Sequence, residues 1–124
     1  METKRLIQAT CPDCRGPLTE VVEEGVVEYR CLVEHRFSAI SLLAAHSETE
    51  ERALWAAALA LEEAEVIARE VAAHFPESSA ELLEQGARKK EQAATIRAVL
   101  QELVPFTVDG IIEPETGRPA KHST

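Results

Sequence analysis

Three cysteines and a histidine near the start of the chain are spaced as ligands to a single metal ion. They are Cys11 and Cys14 in Cys11-Pro12-Asp13-Cys14, and Cys31 and His35 in Cys31-Leu32-Val33-Glu34-His35. Two thiolates two residues apart can take adjacent corners of a tetrahedron, and Gly16 permits the tight turn that follows. A cysteine and a histidine four positions apart can supply the other two corners. The sixteen residues between the pairs are enough for a β-hairpin to leave and return. A Cys3His set is closed, with no position left for water or substrate, so the expected occupant is one structural zinc ion. An iron site or a redox thiol pair are the alternatives. His46 competes with His35 as fourth ligand but lies beyond a predicted helix. Three thiolates on Zn²⁺ leave one net negative charge, which Arg15, Arg30 and Arg36 are placed to offset; anion recognition is the other use for these arginines.

The elements that position these ligands are short and β-favouring over residues 1–37. Leu6-Ile7-Gln8-Ala9 leads into the first cysteine pair. Leu18 to Val22 and Val26 to Arg30 flank Glu23-Glu24-Gly25, which reads as a hairpin with glycine at its turn, the second strand delivering Cys31.

From Ser38 the pattern becomes helical. A short element over 38–46 can be capped by Ser38, and Ser47 with Glu50 matches a capping box that predicts a second start. That helix is expected to run to about Phe75 and stop at Pro76. Ser78 with Glu81 repeats the capping box, and a further helix is expected from about Ser79 to Val104. Leu54, Ala58, Leu61, Glu65, Ala68, Ala72 and Phe75 make a seam of alternating four and three spacing. Leu82, Gly86, Lys89, Ala93, Ile96, Leu100 and Leu103 make its partner, so an antiparallel hairpin follows, with small residues implying close approach. One helix kinked at Pro76 is the alternative, but Pro-Glu-Ser-Ser both ends and restarts a helix. The fold class is therefore α+β and mostly α: a zinc-ribbon head over 1–37, a short helix plus helical hairpin over 38–104, and a tail over 105–124. The tail, with Phe106 to Ile112 placing a turn dipeptide between apolar pairs, either folds back, docks into a partner or is loosely held.

A second apolar row, Trp55, Leu59, Val66 and Ala73 with Leu83, Ala87 and Ala94 opposite, has no cover within a two-helix hairpin. A second copy giving a four-helix bundle would supply it, so a homodimer is expected, with Trp55, Leu59 and Val66 as partner-binding residues. The net charge of −9 disfavours a nucleic-acid partner. No signal-peptide pattern or membrane-length apolar run occurs, and an odd number of cysteines fits a reducing compartment, so a cytoplasmic location is expected. Aromatics at 4% and many alanines mean a thin core, in need of a metal or a partner chain. Glu62, Glu63, Glu65, Glu70 and His74 lack the Glu-x-x-His spacing of di-iron helices and read as a solvated acidic face. No nucleophile elbow or phosphate loop is present, so no enzyme activity is expected.

Cys11-Pro12-x-Cys14-x-Gly16-x-Leu18, then Tyr29-Arg30-Cys31-x-Val33-x-His35-x-Phe37-Ser38, Ser41-Leu42-Leu43-Ala44 and Glu51-Arg52-Ala53-Leu54-Trp55-Ala56-Ala57 form an ordered series. It resembles the C-terminal extension found on some chemotaxis-type protein-glutamate methylesterases (CheB-like proteins), over about residues 9 to 103. The resemblance implies the same four ligands and the same helical hairpin, in bacterial receptor-modification or two-component signalling. Glu34 departs from it, standing where a glycine is expected before the histidine. The methylesterase catalytic domain has no counterpart in these residues, so ester hydrolysis does not carry over. The expected function is a non-catalytic zinc-binding adaptor that binds itself or another protein through the hairpin; the alternative is a redox- or zinc-responsive regulatory switch.

Overall fold

The computed structural model describes residues 1–111. The chain makes a tight reversal at Glu24-Gly25, whose φ values of 52° and 79° are both in the left-handed region. A two-residue loop with this backbone matches the right-handed twist of the strands it joins, which is why glycine stands at its second position. It connects β2 (Pro17–Glu23) to β3 (Val26–Arg30), with Glu23 opposite Val26 and Thr19 opposite Arg30. On the other side of β2 lies β1 (Glu2–Thr10), and beyond β3 lies β4 (Arg36–Phe37), giving an antiparallel four-stranded sheet in the order β1-β2-β3-β4. The short lead-in expected at Leu6 to Ala9 is thus the second half of a nine-residue edge strand. Its first half is polar and gives no apolar signal, but it pairs residue by residue with β2 from Glu2↔Glu23 to Ile7↔Leu18.

Directly opposed residues share a face of a sheet, and faces alternate along a strand. Ile7 and Leu18 therefore lie on the same side as Tyr29 and its partner Phe37. That side carries the core: Cys11, Leu18, Cys31, Phe37 and Ala45, with Ile7, Tyr29 and Leu42 packed around them.

Two helices follow, α1 (Ala39–Ala72) and α2 (Ser79–Glu102), so the architecture is α+β and mostly helical, as the sequence indicates. Ser38 caps α1 reciprocally with Ser41: the Ser41 N–H donates to Ser38 Oγ at 3.1 Å, and the Ser38 N–H donates to Ser41 Oγ at 2.9 Å. The second start expected at Ser47 does not occur. α1 runs through it without a break, because His46-Ser47-Glu48 contains neither glycine nor proline and propagating an existing helix is easier than nucleating a new one. Ser47 Oγ instead accepts the Phe106 N–H at 3.1 Å. α1 ends short of Pro76, the bonds from His74 N to Val71 O and from Phe75 N to Ala72 O tightening its last turn. The capping box at Ser78 is also not formed. With ψ near 1° rather than extended, the Ser78 side chain makes no cap hydrogen bond, and the turn is held by backbone bonds such as Ser78 N to Phe75 O.

The described residues divide into two compact units, Met1–Thr49 with residues 105–111, and Glu50–Val104. Leu42 and Ala45 of α1 belong to the core of the sheet, which places the start of α1 in the first unit. Of the expected tail, residues 105–111 belong to the first unit and turn at Asp109-Gly110, closed by Ile111 N to Val108 O at 3.0 Å. Ile112 and the remainder to Thr124 lie outside the described residues.

In the second unit the predicted seam is the packed one: Ala58, Ala72, Gly86 and Ala93 are buried. Phe75 departs from it, being 58% exposed in the turn, and Lys89 points outward. The helices come close together at Gly86, where an added Cβ would lie 2.9 Å from the Ala68 Cβ. Alanine at this position gains about 1 kcal/mol of helix propensity but overpacks a contact with no flexible atom to yield, at a cost of about 1–3 kcal/mol. Gly86→Ala is therefore expected to lower the hairpin's thermal midpoint, and Ala68→Gly in the same chain to restore it, as read by circular dichroism melts.

Candidate metal centre

The two ligand pairs are presented by two loops with the same pattern of closing bonds, the first one residue longer. In the first, Arg15 N donates to Cys11 O at 2.8 Å and Cys11 N to Gly16 O at 2.7 Å. In the second, Glu34 N donates to Cys31 O at 3.0 Å and Cys31 N to His35 O at 3.2 Å. Each loop needs one residue in the left-handed region, Arg15 at φ 65° and Glu34 at φ 64°. The first follows β1 and the second follows β3, so pairing of β1 with β2 and of β2 with β3 sets the loops side by side.

The outcome is a cluster of four ligand atoms, from Cys11, Cys14, Cys31 and His35, all within 4.8 Å of one another. Among the described residues this is the group that could hold a metal ion; His46 is not part of it, and neither are Glu62, Glu63, Glu65, Glu70 and His74. His35 Nδ1 faces the sulfurs, 3.2 Å from Cys31 Sγ and 3.6 Å from Cys11 Sγ, and the His35 backbone N–H donates to Cys31 Sγ at 3.3 Å. Burial pushes the Cys11 thiol up to about 11, against backbone hydrogen bonds from Cys14 and Asp13 that favour the thiolate. At Cys31 burial again raises the pKa, but hydrogen bonds from the His35 backbone, the Cys14 side chain and the Val33 backbone outweigh it and bring the thiol down to about 7. A bound cation would favour the thiolate at both. Arg30 and Arg36, placed by sequence beside the ligands, are drawn to Glu28, at 2.5 Å and 3.9 Å.

Glu34 explains its own departure from the expected glycine: it occupies the left-handed position that glycine adopts freely. A side chain other than glycine costs about 1 kcal/mol there. Glu34→Gly is expected to raise the thermal midpoint of the chain and Glu34→Val to lower it, as measured by scanning calorimetry.

Trp55, Leu59 and Val66 belong to the second unit and are 48%, 54% and 44% exposed. Between them on the same helical face sits Glu62, which takes both ends of the Arg97 guanidinium, at 2.5 Å to Nε and 2.8 Å to Nη2. The guanidinium also lies over the Trp55 ring, 5.1 Å from its centroid. Sequence reasoning missed Arg97 and left Glu62 on a solvated face. Their pairing depends on the relative height of two antiparallel helices, which a three-four repeat leaves open.

The Arg97 hydrogen bond, with its positive charge, holds the Glu62 carboxyl below its ordinary value despite some desolvation. A carboxyl lowered on folding stabilises the fold above its unfolded pKa, about 4.3, and loses that contribution as pH falls through the lowered value. Glu62→Gln is therefore expected to lower the thermal midpoint at neutral pH, the difference from wild type closing on acidification; a difference that persists at low pH would assign the effect to packing.

In comparisons with protein-family models, curated proteins and solved structures, none matches this chain. Among the described residues no helix is long and apolar enough to cross a membrane.

Proposed function

We propose that the chain is a non-catalytic zinc-binding interaction module, its metal holding the sheet together and its helical hairpin binding a second copy of itself. The convergence of three sulfurs and one imidazole nitrogen within 4.8 Å is the observation that carries this reading. A tetrahedral zinc site, with Zn–S near 2.3 Å and Zn–N near 2.0–2.1 Å, has S···N edges of about 3.5 Å. The separations of 3.2 Å and 3.6 Å around His35 Nδ1 bracket that edge. Soft thiolates with one imidazole suit zinc, and four protein ligands leave no coordination position for water, which is what a structural rather than a catalytic site requires. Free thiols at all three cysteines suit a reducing compartment such as the cytoplasm.

The hairpin half of the proposal rests on Trp55, Leu59, Val66 and Leu83, all more than 40% exposed on one side of a two-helix layer. A homodimer that stacks two such layers covers both faces at once and gives a four-helix bundle. The ordered motif from Cys11 to Ala57 supports a setting in chemotaxis-like or two-component signalling, as a module without methylesterase activity.

Light scattering combined with metal analysis on the purified chain tests both halves. Wild type is expected at twice the chain mass with one zinc per chain, and Trp55→Asp at the single-chain mass with zinc still at one per chain. Retained assembly in Trp55→Asp, or a monomeric wild type, removes the dimer; a chain without zinc removes the module.

A further inference from the structure

The four ligands are unevenly covered. Cys11 is fully buried and Cys31 is 6% exposed, whereas Cys14 is open to solvent. The residue beside it is Gly16, where a Cβ would sit 3.4 Å from Cys14 Sγ, so the missing side chain leaves one flank of that sulfur clear. Cys14 also lies within the turn closed by the Arg15 N–H on the Cys11 carbonyl. The Cys11 and Cys14 sulfurs lie within 4.8 Å of each other in this turn, close enough for side-chain rotation to bring them to the S–S distance of about 2.05 Å. Cys31 is held otherwise, by the His35 backbone N–H at 3.3 Å and by Nδ1 at 3.2 Å.

Resting on the zinc reading above, we propose that the centre is an oxidant-responsive site for hydrogen peroxide, in which Cys14 reacts first and a Cys11–Cys14 disulfide expels the metal. Peroxide is a small neutral oxidant, which suits a chain of net charge −9 better than an anionic one. The Cys14 thiolate attacks one peroxide oxygen: an S–O bond forms, the O–O bond breaks, and hydroxide leaves and is protonated to water. The sulfur is then a sulfenic acid and the peroxide is reduced. The Cys11 thiolate attacks that sulfur, forming S–S as the S–O bond breaks and a second hydroxide leaves. Two electrons have passed from two thiolates to one peroxide, and the zinc has not changed oxidation state. It keeps only Cys31 and His35 and dissociates. A small dithiol reverses the sequence by exchange with the disulfide, returning Cys11 and Cys14 as thiols ready to bind zinc again.

The test titrates the zinc-loaded full chain with hydrogen peroxide, following released zinc with a chromogenic chelator and mapping cysteines by alkylation and peptide mass at partial oxidation. One zinc is expected per Cys11–Cys14 disulfide, with Cys31 still able to be alkylated. Cys14→His, which keeps a fourth ligand but removes the reacting sulfur, is expected to slow release at least about tenfold. Gly16→Val, which keeps all four ligands and screens the open flank, is expected to slow it severalfold at unchanged zinc content. Oxidation of Cys31 ahead of Cys14, or release from both variants at the wild-type rate, overturns the inference and leaves the zinc module standing. A chain that carries no zinc before peroxide is added overturns the zinc reading itself.

Discussion

The first unit depends on two loops being held together at the end of a small sheet. Its core comprises Leu18, Phe37 and Ala45 with two of the candidate ligands, Cys11 and Cys31. Only Leu18 and Phe37 in that core are large side chains that are fully buried, so the apolar filling is thin. Cys11 and Cys31 thus serve as apolar filling while belonging to the cluster that could hold a metal, and the core is centred on that cluster rather than merely next to it. The same arrangement explains how two non-glycine residues, Arg15 and Glu34, are kept at positive φ: the backbone hydrogen bonds of each loop fix the turn whatever side chain stands there.

Much of this was legible in the sequence, for identifiable reasons. Ligand spacing is local, so Cys11, Cys14, Cys31 and His35 could be grouped without knowing the sheet. The glycine in Glu23-Glu24-Gly25 announces a two-residue reversal because few other residues adopt that backbone without cost. The seams of the hairpin were visible because small and apolar residues recur with the helical period. What failed has a common cause. Ser47 and Ser78 carry capping-box signatures, but such a signature states only that a side chain can satisfy backbone donors if a helix begins there. At Ser47 the donors were already satisfied by the preceding turns of α1, and at Ser78 the backbone of a tight inter-helix turn left the hydroxyl unable to reach. β1 was under-read for a different reason: Glu2-Thr3-Lys4-Arg5 has no hydrophobic alternation, and its strand state is imposed by pairing with β2.

The second unit solves a different problem with little material. Ala58, Ala68, Ala72, Gly86 and Ala93 let two helices come close, but small side chains bury little area, so proximity replaces bulk and the apolar side chains of real size are left outside the seam. Two helices present only one mutual interface. An apolar stripe flanking that interface on each helix cannot be buried by the pair, whatever their crossing angle. Arg97 partly answers this for one residue, its guanidinium covering Trp55 while Glu62 fixes its orientation. The arrangement leaves half of the indole accessible and does nothing for Leu59 or Val66. A planar cation clamped by a bidentate carboxylate is also a rigid edge, costing a partner less side-chain entropy to pack against than a free arginine. The ion pair that tidies this face in the isolated chain is therefore the same feature that would orient an apolar layer brought against it.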